Sequence, residues 1–232
     1  IELQTIIKDI AAKNITDVEL TYFVTACYLN ELDMDEITAL THAMVSSGNT
    51  LDLPEKIIVD KHCIGCVAAN RTSMILVPIL AAAGLTIPKT SSRSITSAAG
   101  TADTVEVLCP VVFSLPKMKQ IIKKTNGCLV WGGAMSLAPA DDKIIQVEHP
   151  VSLDPIGQLL ASIMAKKKSV GATHVLIDIP VGRGAKITDM THARSLEKKF
   201  VELGKRLHMK VAVIITDGSQ PVGNGIGPSL EA

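Results

Sequence analysis

The 232-residue chain carries 23 basic and 23 acidic side chains and a formal charge of zero, which excludes the electropositive surface of a nucleic-acid binder or a membrane-surface protein. Hydrophobic residues at 47% against 20% charged exclude disorder and supply a sizeable core, while 3% aromatics exclude the stacking platforms of single-strand binders. The mean hydropathy is positive, +0.32, yet the longest apolar run, residues 74–85, is broken by Pro78 and Gly84 and is too short to span a bilayer. The chain reads as soluble and globular, with no membrane partner. It opens on Ile1 without a basic-then-apolar leader and stops just after Pro228, the pattern of a processed or trimmed polypeptide. Five cysteines, an odd number in a chain too long to need staples, point to a reducing, cytoplasmic setting.

The first fifty residues read as helices. Leu3, Ile6, Ile7 and Ile10 recur at helical spacing. Thr16 with Glu19, and Asp33 with Glu36, have the offset of a capping box. This small bundle ends at Ser46-Ser47-Gly48. Residues 57–59 predict a short buried strand, followed by a glycine-containing loop and a helix from about Asn70. Further strands are predicted over 128–130, 174–179 and 211–216, with a helix over 155–168 that aligns Leu159, Leu160 and Ile163. Strands alternating with helices give an α/β class with a mostly parallel sheet. The expected architecture is a helical lobe (1–52 and 139–170) and an α/β lobe (53–138 and 171–232), with their contact surface the default place for a ligand.

Four constellations carry the chemistry. In Asp60-Lys61-His62-Cys63-Ile64-Gly65-Cys66, directly after the first strand, Lys61 supplies charge, Gly65 permits close backbone approach, and His62 can move a proton near neutral pH. Residues 90–103 combine Ser and Thr hydroxyls, backbone amides and Arg93, a set suited to phosphate or sugar phosphate. The competing reading is a solvated loop with Asp103 capping the next helix. Asp154 reads as the N-cap of the helix carrying Ser162 and Lys166, and the spacing puts all three on one stripe, either a site or a solvated face. Pro180-Val181-Gly182-Arg183-Gly184-Ala185-Lys186 is a second Gly-bearing loop after a strand, with two cations. Cys63 and Cys66 also match a CxxC redox pair, and no second pair stands at zinc spacing.

Several of these stretches resemble one family. Asp60-Lys61-His62, the 91–101 loop ending Gly-Thr-x-Asp, Leu137-Ala138-Pro139-Ala140-Asp141 and Ala161-Ser162-Ile163-Met164-Ala165-Lys166-Lys167 are similar to the thymidine and pyrimidine-nucleoside phosphorylases. Thr90-Ser91-Ser92-Arg93, Asn126-Gly127-Cys128, Val130-Trp131-Gly132-Gly133 and Thr216-Asp217-Gly218-Ser219-Gln220-Pro221 resemble the branch holding archaeal AMP phosphorylases and their bacterial thymidine phosphorylase-like counterparts. The similarity runs in order along the whole chain.

The resemblance implies two lobes closing over substrate, a homodimer through the helical lobe, and phosphorolysis of a nucleoside or nucleotide to free base and sugar 1-phosphate. Inorganic phosphate is then the co-substrate, with no cofactor and no metal. It implies phosphate binding by Lys61, Cys63, Thr72, Ser91 and Thr101. Substrate contacts fall to Cys66, Ser92, Arg93, Ser94, Ile95, Thr96, Ser97, Thr101, Ser162, Lys166 and Lys186. The two branches nominate different acids, His62 or Asp154, and Asp154 is preferred because its surroundings follow the AMP branch. Cys63 replaces a serine, a better donor than a thiol. Cys66 and the Ala68-Ala69 pair stand where the family has glycine, so a φ above zero there carries a strain of about 1 kcal/mol or more. His149 replaces an arginine of the AMP branch, which favours an unphosphorylated, thymidine-like substrate. AMP or another nucleoside monophosphate, giving ribose 1,5-bisphosphate, is the alternative. A phosphoribosyltransferase of similar fold and a non-catalytic nucleotide-binding fragment are the further readings. The resemblance also implies that 232 residues are the core of a longer chain.

Overall fold

The computed structural model describes residues 2–65, 67–94 and 98–232. In chain order the elements are helices α1 (Glu2–Ala12), α2 (Asp17–Asn30) and α3 (Met34–Ser46), strand β1 (Val59–Cys63), α4 (Thr72–Ala82), β2 (Ile87–Ser91), α5 (Thr101–Glu106), α6 (Leu115–Thr125) and β3 (Gly127–Trp131). There follow α7 (Pro139–Val151), α8 (Ile156–Ser169), β4 (His174–Val181), α9 (Met190–Arg206), β5 (Lys210–Asp217) and the short α10 (Pro228–Glu231). Two compact units result. One holds the chain up to Asp52 with Ser136–Gly171, the other Leu53–Met135 with Ala172–Ala232. No helix among the described residues is long and apolar enough to cross a membrane.

The first unit is a helical bundle of α1, α2, α3, α7 and α8. Both expected capping boxes form: Glu19 N–H donates to Thr16 Oγ1 at 3.3 Å while Thr16 N–H donates to Glu19 Oε2 at 2.8 Å, and Asp33 exchanges the same bonds with Glu36. Each satisfies two amides that a helix start leaves without partners. The bundle closes over Ile7, Ile10, Leu20, Val24, Leu40, Met44, Ile144 and Val147, with Ala140, Ala161 and Ala165 letting the helices approach.

The second unit is α/β. Strands β1, β4 and β5 form a parallel sheet in the order β1-β4-β5, and β2 pairs in parallel with β3 in a separate two-stranded sheet. The single sheet expected from the sequence is therefore two, joined at one bridge between Ile58 and Thr86, where Val59 N–H donates to Thr86 O at 2.8 Å. Helix α9 covers β4 and β5 with Ala193, Leu196, Phe200 and Leu203, all buried.

Two strand assignments move. β1 starts at Val59 and runs through Asp60, Lys61 and His62, residues that read as loop from their charge. β2 was hidden by Pro88 and Lys89, both buried within it. In each strand the polar groups find partners inside the fold, which removes the cost that otherwise keeps them out of a buried strand.

Candidate functional site

All parallel strands of the α/β unit deliver their carboxyl ends to one kind of feature, a loop opening toward a helix or a turn, the position where open α/β sheets hold ligands. The loop after β1 meets the loop after β4, with Lys186 N–H donating to Gly65 O at 3.5 Å, and meets the segment after β5, with Val222 N–H donating to Ala68 O at 3.1 Å. Ile64 N–H donates to Asp178 O at 2.8 Å, and Gly218 N–H to Val181 O at 2.9 Å. The expected Lys61, Cys63 and Lys186 segments thus converge on the carboxyl edge of one sheet.

Lys61 is not a loop cation. Its ammonium lies 3.0 Å from Asp178 Oδ2, with the two side chains 6% and 7% exposed. Asp178 Oδ1 accepts from Thr216 Oγ1 at 2.7 Å. Three adjacent strands therefore contribute to one chain of contacts, buried at Lys61 on β1 and Asp178 on β4 and reaching the exposed Thr216 on β5. His62 and Cys63 also belong to β1 and are half-buried, and Cys63 Sγ accepts from Asn70 Nδ2 at 3.5 Å. Cys66, the second half of the CxxC reading, lies outside the described residues.

Ala69 has φ of 59°, the left-handed region where the sequence departure mattered. A Cβ there costs about 1–2 kcal/mol. Ala69→Gly is expected to stabilise the α/β unit by about 0.5–1 kcal/mol once glycine's larger unfolded-state entropy is subtracted. Urea titration followed by the fluorescence of Trp131, the chain's single tryptophan, measures it; no gain contradicts the strain. Thr72 opens α4, exposed, with its hydroxyl donating to Asn70 Oδ1.

The second loop runs from Ser91, at the end of β2 and in register with Trp131, to Thr101 at the start of α5. Ser92 O accepts from Ala102 N–H at 3.2 Å, and Ser94 N–H donates to Asp103 Oδ2 at 2.7 Å. Arg93, expected as a substrate contact, pairs with Asp103 at 2.9 Å and with Glu106 through both terminal nitrogens at 2.6 and 2.9 Å. Its guanidinium also stacks 4.7 Å from the Trp131 ring centre. The charge that looked available to a phosphate is neutralised within the loop. Ile95, Thr96 and Ser97 lie outside the described residues.

Burial works against the Asp103 charge, but the Gly100 and Ser94 amides and the Arg93 guanidinium outweigh it and hold the carboxyl below its ordinary value. A depressed folded value means that the stabilisation is complete above the unfolded one and is lost as pH falls through the folded one. Trp131 fluorescence should hold steady down to about pH 4 and change below it. Asp103→Asn should reduce that acid change, and an unaltered profile in the variant would count against this linkage.

In the helical unit, Asp154 is exposed and stands two residues before the first residue of α8. Pro155 takes the N-cap place, and no side chain there accepts an amide. The helix starts at Ile156, so Asp154 stands just ahead of the stripe that carries Ser162 and Lys166. Ser162 and Lys166 remain on α8, both half-buried. Lys166 Nζ is 2.5 Å from Oδ2 of buried Asp141. Burial opposes the ammonium charge, but Asp141 outweighs it and, with Asp142 and Glu148, holds Lys166 above its ordinary value.

Sequence reasoning missed Asp178, Arg71, Glu106 and the pairing role of Asp141. One signal was present for Asp178: it is the single charge in the apolar run Val175-Leu176-Ile177-Asp178-Ile179, and a buried charge demands a partner.

The architecture is a helical bundle and an α/β unit with hydroxyl-bearing loops on the carboxyl edges of its strands. The model described as the Glycosyl transferase family, a/b domain matches residues 55–232, and the one described as the Glycosyl transferase family, helical bundle domain matches residues 1–48, so the chain belongs to this glycosyl transferase family. The AMP phosphorylase of Thermococcus kodakarensis is 56% identical over 232 residues, 100% of this chain and 46% of its own length. A protein of Acidovorax sp. strain JS42, provisionally named thymidine phosphorylase 1, is 52% identical over 227 residues, 98% of this chain and 44% of its own. The chain spans about half the length of the curated relatives it matches. Anthranilate phosphoribosyltransferase from Thermus thermophilus has the same fold, with a TM-score of 0.74 at 17% identity over 97% of this chain and 64% of that one.

Proposed function

We propose that the whole protein catalyses phosphorolysis of a nucleoside monophosphate of the AMP type, releasing the base and ribose 1,5-bisphosphate. An oxygen of inorganic phosphate bonds to the anomeric carbon as the carbon–nitrogen bond breaks. The base leaves with the electron pair and takes a proton. The observation that carries this reading is the 56% identity to an AMP phosphorylase over all 232 residues of the chain. AMP thus replaces the thymidine-like substrate favoured by His149. Thymidine remains the second reading on the strength of the Acidovorax relative's provisional name.

In this scheme Ser91, Thr72, Thr101 and the loop amides bind phosphate, with Lys61 behind them. The Asp178 carboxylate 3.0 Å from Lys61 tempers the ammonium, and a phosphate held by tempered charge and neutral donors keeps its nucleophilicity. Lys186 and the 92–97 segment contact the nucleotide. From the helical unit, Asp154 supplies the proton and Ser162 and Lys166 contact substrate. We assign the same unit the homodimer surface, on α2, where Val18, Tyr22 and Leu29 share one face at 65%, 72% and 73% exposure. Sedimentation of the whole protein decides that point, a monomer overturning it.

Asp154→Asn should lower turnover of AMP by about 100-fold or more while leaving AMP affinity within a few-fold. Near-normal turnover would remove Asp154 and return the acid role to His62. AMP binding without base release, in the presence of phosphate, would favour the non-catalytic nucleotide-binding reading.

A further inference from the structure

Arg71 has no place in the scheme above, yet its guanidinium touches more of the candidate site's framework than either predicted cation of the two loops. It stands at the N-cap of α4 with its side chain 13% exposed. Nη1 donates to Asn70 O at 3.2 Å, in the loop after β1. Nη2 donates to Ala99 O at 2.7 Å, in the loop after β2. Nε donates to Thr104 Oγ1 at 3.0 Å, on α5. Its charge is met by Glu231 of α10, a carboxylate 1% exposed whose Oε1 also accepts from Gly227 N–H at 2.9 Å. The planar fork of a guanidinium fixes all these directions at once, which an ammonium on a flexible stem does not.

We infer that Arg71 is a positioning residue for phosphate: it sets the spacing between the loop ending at Asn70 and the loop ending at Thr101 without touching the anion itself. Glu231 makes this assignment specific. A guanidinium already paired with a buried carboxylate is a strut, because its charge is balanced inside the fold. The carbonyls of Asn70 and Ala99 accept from different terminal nitrogens of the guanidinium and belong to the two segments that the proposed function gives to phosphate. The inference rests on that reading for the identity of the anion.

The test compares Arg71→Lys with wild type in the whole protein, varying inorganic phosphate at saturating AMP and AMP at saturating phosphate. The expected result is a KM for phosphate raised about tenfold, the equivalent of about one net hydrogen bond, with kcat and the KM for AMP within twofold. A merely structural role would lower kcat through a smaller active fraction and leave both KM values in place. That outcome, or an unchanged phosphate KM, overturns the inference. If Arg71→Lys fails to fold, Thr104→Val, which removes the acceptor for Nε together with the hydroxyl's own bond to Gly100 O at 3.1 Å, is expected to move the phosphate KM in the same direction and decides by the same split. If wild type releases no base with phosphate, the phosphorolysis reading fails by itself. The melting temperature against inorganic phosphate concentration then judges Arg71: a midpoint displaced upward in the variant supports it, and coincident curves overturn it.

Discussion

Asp178→Ala is expected to destabilise the α/β unit by about 3–5 kcal/mol, a large part of the roughly 5–15 kcal/mol that holds a domain folded. The substitution leaves the Lys61 ammonium 6% exposed without the carboxylate 3.0 Å away, and it strips Thr216 Oγ1 of its acceptor at 2.7 Å. An isolated buried charge loses its hydration and receives nothing in return. The pair as a whole is a different matter. Lys61→Met combined with Asp178→Leu removes both charges and fills similar volume, so most of the stability should return. Phosphate binding should not return, because Lys61 is gone. Urea titration of Trp131 fluorescence reports on this unit alone, since Trp131 lies on β3. A loss below about 1 kcal/mol for Asp178→Ala would contradict the account, because that is the range of a solvent-screened surface pair.

Gly100→Ala carries the second large effect, and it falls mainly on activity. A Cβ at residue 100 would lie 2.3 Å from Arg93 C, 2.6 Å from Ser92 O and 2.6 Å from Ser94 N. All three are backbone atoms, so no side-chain rotation relieves the clash. The turn at 92–94 must lift from the start of α5, which breaks the Ser94 and Gly100 amide bonds to Asp103 at 2.7 and 3.0 Å. Arg93 then leaves Trp131. The expected stability cost is about 1–3 kcal/mol, typical of overpacking. The expected loss in kcat/KM is about 100-fold, since a displacement near 1 Å of substrate-positioning groups has that consequence. Steady-state kinetics with Trp131 emission as a local readout measure both. Wild-type kinetics in a folded variant would show that the second loop does not position substrate.

Both effects bear on what the sequence carried. The helical bundle was legible because caps and periodicity are local. Thr16 with Glu19 and Asp33 with Glu36 need only a three-residue offset. The α/β class was legible from apolar strands spaced by helices, and the loops after them from glycine and hydroxyl clusters. Less legible was anything settled by a partner distant in sequence. Asp60 and Lys61 read as loop because charge is costly in a strand; Asp178, more than a hundred residues away, removes that cost for Lys61, and the Lys61 amide donates to Asp60. Arg93 read as a free guanidinium, but Glu106 pairs with it and Trp131 stacks on it. Arg71 drew no attention, because its partners Ala99, Thr104 and Glu231 are marked by no motif. The helix boundary at Asp154 moved by one residue, to Pro155, because an Asp-Pro pair marks a helix start without fixing its exact first residue.

The central claim, phosphorolysis of a nucleoside monophosphate, is most directly tested by stoichiometry. The whole protein is incubated with AMP and inorganic phosphate, and adenine release is compared with phosphate consumption. The account predicts one adenine per phosphate consumed, a matching yield of ribose 1,5-bisphosphate, and no adenine when phosphate is omitted. Adenine release without phosphate, or turnover of thymidine with none of AMP, would contradict it.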